Sequence, residues 1–147
     1  MIHFARAALV MIACLPGTGT AQSAADKEGV RLAVLDYVEG FYRGDTARLI
    51  RSVSPDVRKY GFDRATPTAP YVGEAMPFRE FLAYANRVRT GKSHTPAGAR
   101  QEIVIFDVQD QTASAKLTAW WGTDYLLLAK QKGRWMILDV LWQSPPR

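Results

Sequence analysis

"TDYLLLAKQKGRWMILDVLW", Thr123 to Trp142, decides the fold. Two runs rich in Leu, Ile, Val, Trp and Tyr flank the short connection "QKG", which reads as a β-hairpin. The turn sets which side chains share a face. A two-residue turn would place Lys132 at positive φ, a conformation that suits Asn, Asp or Gly better. A three-residue turn with Gly133 in the left-handed position avoids that cost. The three-residue loop predicts that Lys130 faces Arg134, Ala129 faces Trp135, Leu127 faces Ile137 and Tyr125 faces Asp139. One face then carries Tyr125, Leu127, Ala129, Trp135, Ile137, Asp139 and Leu141. The other carries Leu126, Leu128, Met136, Leu138, Val140 and Trp142. Both are apolar.

Two more strands precede this hairpin. "QEIVIFDVQ" and "TASAKLTAWW" are separated by "DQ", and "GT" joins them to the hairpin, so the four runs form an antiparallel meander. A tight turn at Gly122-Thr123 would put Trp120 across from Tyr125. Trp121 would then point to the opposite side, because side chains alternate along a strand. Asp124 would stabilise that turn.

Helices come first. Val30, Ala33, Val34, Tyr37, Val38 and Phe41 recur at helical spacing, and Gly44 suits that helix's end. Asp45 caps a short second helix, "DTARLIRSV", which Pro55 ends. The segment from Pro55 to Met76 reads as loop with one short strand near Val57–Phe62. Pro77 opens a third helix with Phe78, Phe81, Leu82, Ala85 and Val88 on one face. Three helices ahead of an antiparallel sheet define an α+β domain with the helices on one sheet face. The second apolar face needs a partner, and a homodimer through that outer face is the economical solution.

The first 21 residues read differently. Arg6, an apolar run from Ala7 to Leu15, Pro16-Gly17 and small residues before Gln22 form the layout of a secretory signal peptide. The domain then occupies residues 22–147, with 22–27 frayed, and localisation is periplasmic or secreted. A lipoprotein with Cys14 as the lipidated residue is the less favoured alternative. No run is long enough for a membrane span.

The chain has one cysteine, Cys14, and two histidines, His3 and His94. After removal of the leader no cysteine remains and His94 stands alone. Disulfides, thiol chemistry, a metal site and a cofactor bound through such ligands are not expected. Nineteen Lys and Arg against 14 Asp and Glu give a net charge of +5, one unit of which leaves with Arg6. The basic residues are scattered rather than striped, which argues against nucleic-acid binding.

"AVLDYVEGFYRGD", "SPDVRKYGF", "TASAKL" and the Thr123–Trp142 stretch together resemble the putative lumazine-binding family. That family belongs to the nuclear transport factor 2-like superfamily, with ketosteroid isomerase and SnoaL-type polyketide cyclases. The resemblance implies a cone-shaped fold in which a curved sheet wraps a long helix and leaves a pocket at its open end. Where relatives often carry a histidine before the proline that follows the second helix, this chain has Ser54.

Asp139 and Tyr125 are the leading candidate pair. On the face turned to the helices, an Asp among Trp, Ile and Leu would act as base beside a hydrogen-bonding Tyr, as in isomerase or dehydratase chemistry. The favoured reading of the same pair is a structural one, a polar contact that satisfies itself and fixes the sheet. Tyr37, Phe41, Trp120 and Trp135 join Tyr125 and Asp139 as candidate ligand contacts. His94, in a Gly/Pro/Ser loop, is a candidate lid residue. Three functions follow: a pocket for a small hydrophobic or flat heteroaromatic molecule, an enzyme using Asp139 and Tyr125, or a dimeric interaction module.

Overall fold

The computed structural model describes residues 19–146. Most of the expected leader, including Cys14, lies outside the described residues. Helix α1 (Gly19–Arg43) is followed by α2 (Thr46–Ser52), β1 (Val53–Asp63), β2 (Val72–Ala75), α3 (Phe78–Arg89), β3 (Gln101–Val108), β4 (Thr112–Ala119), β5 (Gly122–Gln131) and β6 (Arg134–Gln143). The strands form one six-stranded sheet in the order β2-β1-β6-β5-β4-β3. The four last strands are the expected meander. The sheet as a whole is mixed, because β1 runs parallel to β6.

That parallel pair corrects the reading of Pro55–Met76. Residues 53–63 form an 11-residue strand in which Pro55 sits at a register shift between Val53 and Arg58. Proline is tolerated where the ladder is already interrupted. Beyond it, Val57, Lys59 and Gly61 turn inward while Arg58, Tyr60 and Phe62 turn outward.

The long helix supplies the core. Val30, Val34, Tyr37, Val38 and Phe41 are buried against Leu117, Leu126, Leu128, Ile137 and Val140 of the sheet and Phe81 of α3. Asp45 caps α2 as expected, accepting from the amides of Ala47 and Arg48. Asp36 ties α1 to α2, accepting from Arg48 at 2.8 Å and from Arg51 at 2.5 Å. Residues 22–27 belong to α1 rather than to a frayed end. Asp26 is buried there, paired with Lys130 and accepting from Trp135 Nε1 at 3.1 Å.

The β5–β6 hairpin departs from the expected register. Its turn is the two-residue one, Lys132-Gly133, with φ of 49° and 78°. Left-handed geometry at both positions matches the twist of the flanking strands, which outweighs the cost of a lysine there. The pairs are Lys130↔Trp135, Ala129↔Met136 and Leu128↔Ile137. A bulge then shifts the ladder to Leu127↔Asp139 and Tyr125↔Leu141. Tyr125 and Asp139 still share a face, but it is the outer one. Tyr125, Leu127 and Leu141 are about half exposed, whereas Asp124, Leu126, Leu128 and Val140 face the helices. Leu126 and Leu128 of β5 and Val140 of β6, expected outside, are therefore inside, and Tyr125, Leu127 and Leu141, expected inside, are outside, while Trp135 and Ile137 keep the inner position.

Candidate functional site

A cavity of about 200 Å³ opens at one end of the cone, lined by Phe41, Lys59, Met76, Tyr84, Trp120, Trp121 and Trp142. Its walls come from α1, β1, α3 and the ends of β4–β6. The turn between β4 and β5 builds much of it. Ala119 pairs with Gly122, so Trp120 and Trp121 are the turn residues themselves, in place of the expected Gly122-Thr123. Strand alternation therefore does not separate them, and both indoles reach the cavity. Tyr42 fixes this turn: its hydroxyl accepts from the Trp120 amide at 3.1 Å and donates to the Arg100 carbonyl. Trp121 packs edge-on against Tyr37, Phe41 and Tyr42.

The opposite wall depends on a glycine. Gly61 and Trp142 are neighbours on β1 and β6, and a Cβ at Gly61 would stand 1.7 Å from Trp142 Nε1. Only a residue without a side chain lets the indole lie flat over the strand.

Among the described residues Lys59 is the one charged residue in the lining, and it is 8% exposed. Its Nζ lies 5.4 Å from the ring centres of Tyr37, Phe41 and Phe81, 5.8 Å from Trp142 and 6.0 Å from Trp121. A cation beneath so many rings gains from their quadrupoles. Nζ donates to the Tyr37 hydroxyl at 2.8 Å, and that hydroxyl donates to Asp124 Oδ2 at 3.1 Å. Trp121 Nε1 donates to the same carboxylate at 3.2 Å. Asp124 is fully buried. The expectation that it merely steadies a turn is thus corrected: it is the buried counter-charge of the cavity.

Burial sets the electrostatics. Desolvation lowers the pKa of Lys59, partly opposed by Asp124. Desolvation raises that of Asp124, partly opposed by Lys59, Tyr37 and Trp121. Tyr37 is pushed well up, by burial first and then by the Asp124 charge. Both ends of the chain Lys59–Tyr37–Asp124 are thereby drawn toward their neutral forms. Chemically, the site can offer a hydrogen-bond donor or cation to an oxygen of a ring-shaped guest, or an amine made more nucleophilic by desolvation.

The structure distributes the candidate residues as follows. Phe41 and Trp120 line the cavity, and Tyr37 stands directly behind it. Trp135 does not reach it. Seven positions separate Trp135 from Trp142 along β6, roughly 20 Å of strand, and its indole serves Asp26. Asp139 and Tyr125, expected in the cone, lie on the outer face because of the turn and bulge. Asp139 pairs there with Arg58 at 2.6 Å and borders a groove with Ser114, Leu127 and Leu138. His94 is exposed and absent from the cavity lining. Among the described residues no group of His, Cys, Asp and Glu could hold a metal ion, and no helix is long and apolar enough to cross a membrane.

Comparison with known proteins agrees with this architecture. An NTF2-like protein of unknown function from Shewanella baltica OS155 superposes with a TM-score of 0.66 at 19% identity, covering 84% of this chain and 97% of that one. An NTF2-like protein of unknown function from Methylobacillus flagellatus KT gives 0.63 at 18% identity, covering 84% and 94%. A protein described as a putative scytalone dehydratase, from Novosphingobium aromaticivorans DSM 12444, gives 0.59 at 12% identity, covering 86% and 88%. At these identities the likeness establishes the nuclear transport factor 2-like fold. No curated protein matches the chain. The profile described as "Putative lumazine-binding" matches residues 25–143, and the chain belongs to that family.

Proposed function

We propose that the domain binds a small, flat aromatic or heteroaromatic molecule in the cavity over Lys59, with a carbonyl or anionic oxygen of the guest directed at Nζ. The observation that carries this is a buried lysine at the base of an otherwise apolar, aromatic cavity. Aromatic walls favour a planar guest, and one polar group fixes its orientation. At about 200 Å³ the cavity suits one or two fused rings rather than a larger drug-sized ligand. The family description names lumazine, and one structural neighbour is described as a putative scytalone dehydratase. Both descriptions concern small molecules.

Three of the chain's four tryptophans line the cavity, so intrinsic fluorescence reports its occupancy. Lumazine and a panel of bicyclic heteroaromatics are titrated into the purified protein. Saturable quenching that Lys59→Met weakens at least tenfold is the expected result. A flat response across the panel, with native mass spectra showing no co-purified small molecule, would overturn the reading.

A second reading concerns assembly. Phe62, Tyr60, Leu141, Tyr125 and Leu127 form a continuous exposed apolar stripe across β1, β6 and β5 on the face away from the helices. A stripe of this kind favours burial by a second copy of the chain. The leader-like residues 1–21 support export to the periplasm or beyond. Protein recovered from fractionated cells is expected to begin at Gln22, and an intact Met1 would remove this part of the reading.

A further inference from the structure

Anchoring a ligand oxygen needs only a cation, and Lys59 has more than that around it. Among the described residues its Nζ donates to the Tyr37 hydroxyl at 2.8 Å, and Tyr37 leads on to Asp124 Oδ2 at 3.1 Å. The three groups form a line along which a proton can move without solvent. As Lys59 passes a proton to the Tyr37 oxygen, Tyr37 passes its own to Asp124. The ion pair becomes an amine and a carboxylic acid. Burial favours that exchange at both ends, which is the direction of the Lys59 and Asp124 shifts. Phe41, Trp121 and Trp142, three walls of the cavity, stand within 6.0 Å of the nitrogen, so a guest between them meets Nζ directly.

We propose that Lys59 is a nucleophile that condenses reversibly with an aromatic aldehyde or ketone held in the cavity, giving a protonated imine. The inference rests on the reading of this cavity as a ligand site. The neutral Nζ attacks the carbonyl carbon; a C–N bond forms and the C=O π pair moves to oxygen. A proton shifts from the nitrogen to that oxygen, leaving a neutral carbinolamine. The C–O bond then breaks, the hydroxyl leaves as water with the proton stored on Asp124, and the nitrogen lone pair completes C=N⁺. In sum, lysine ammonium and carbonyl compound become iminium and water, with Asp124 again a carboxylate. The product cation occupies the place of the ammonium, beneath the same rings and opposite the same Asp124. Groups that hold the ammonium therefore also hold the iminium.

The test uses the purified protein with 2-naphthaldehyde as probe, sodium cyanoborohydride as trap, and peptide mass mapping. Tryptophan quenching by the same probe is followed in parallel. The expected result is a saturable naphthylmethyl addition on Lys59 at probe concentrations that leave Lys27, Lys92 and Lys132 unmodified. Lys59→Arg should lose the naphthylmethyl addition that the wild type shows, with none appearing on the exposed lysines in its place. Tyr37→Phe should slow trapping about tenfold or more at neutral pH, with the deficit shrinking as pH rises. Quenching without addition at Lys59 overturns the imine and leaves the ligand site standing. Addition spread evenly over the exposed lysines overturns it equally. Absence of both quenching and addition overturns the inference together with the ligand site. The wild-type mapping decides on its own, so a variant that fails to fold does not blunt the test.

Discussion

Lys59 and Asp124 face one another through a single hydroxyl, that of Tyr37. Each carries an opposite charge into the core, and each is shifted toward neutrality by desolvation. Asp124 has a folded pKa above its usual 3.8, so its favourable contribution is complete below that value and is lost as pH rises through the folded pKa. Lys59 has a folded pKa below its usual 10.5, so its favourable contribution is complete above 10.5 and is lost as pH falls through the folded pKa. The two together depress stability in the middle of the pH range. Lys59→Met should therefore abolish a rise in melting temperature that the wild type shows from neutral pH toward pH 10. Thermal melts of both proteins across that range check this.

Gly61 is the position where the cavity is most sensitive to a single methyl group. Gly61→Ala drives its Cβ into the Trp142 indole, which must leave its place over β1. The cost should be about 1–3 kcal/mol, read by urea denaturation. Tryptophan emission and cavity binding should change along with stability.

The pairing of Asp26 with Lys130 and Trp135 ties the start of α1 to the last hairpin. Asp26→Ala leaves a mostly buried ammonium and an indole N–H without their shared acceptor. A loss of roughly 2–3 kcal/mol is expected. Hydrogen exchange should accelerate in residues 23–30 while the exchange of β1 stays unchanged.

Lys132 holds a left-handed conformation that a β-carbon disfavours. Lys132→Asn keeps the two-residue turn and fits it better, for a gain of about 1 kcal/mol. An equilibrium urea midpoint that rises without a change in slope is the expected readout.

The outer stripe makes its own prediction. Leu127 and Leu141 are each about half exposed and sit beside Tyr125. Light scattering should show a dimer for the wild type and a monomer for the Leu127→Lys/Leu141→Glu double variant, with far-UV circular dichroism unchanged. A wild-type monomer at high concentration would remove the assembly reading.

Much of this fold is visible in local patterns. The i, i+4 series Val30, Val34, Val38 and the alternating runs after Gln101 specify α1 and the meander through periodicity alone. The site was much less visible, for two reasons. First, a local steric preference at Lys132 argued for the wrong turn, and the bulge between Leu127 and Leu128 is not encoded in alternation. Together they moved Asp139 and Tyr125 to the outside and Asp124 to the inside. Second, Pro55 suggested a loop where β1 begins. The signal for Lys59 was nonetheless present: in "VRKYGF" it alternates in phase with Val57 and Gly61, a lysine on an apolar strand face. Recognising it required knowing that β1 is a strand, and its pairing is with β6, some eighty residues away.

That pairing bears on the order of assembly. The strand at the middle of the sheet, β6, is the last to leave the ribosome, and both β1 and β5 need it as their neighbour. Helix α1 and β1 can therefore wait through most of synthesis with their inner faces bare. The slow step should be closure of this long loop rather than formation of any helix or hairpin. Until it occurs, the aromatic residues of the future cavity stay exposed.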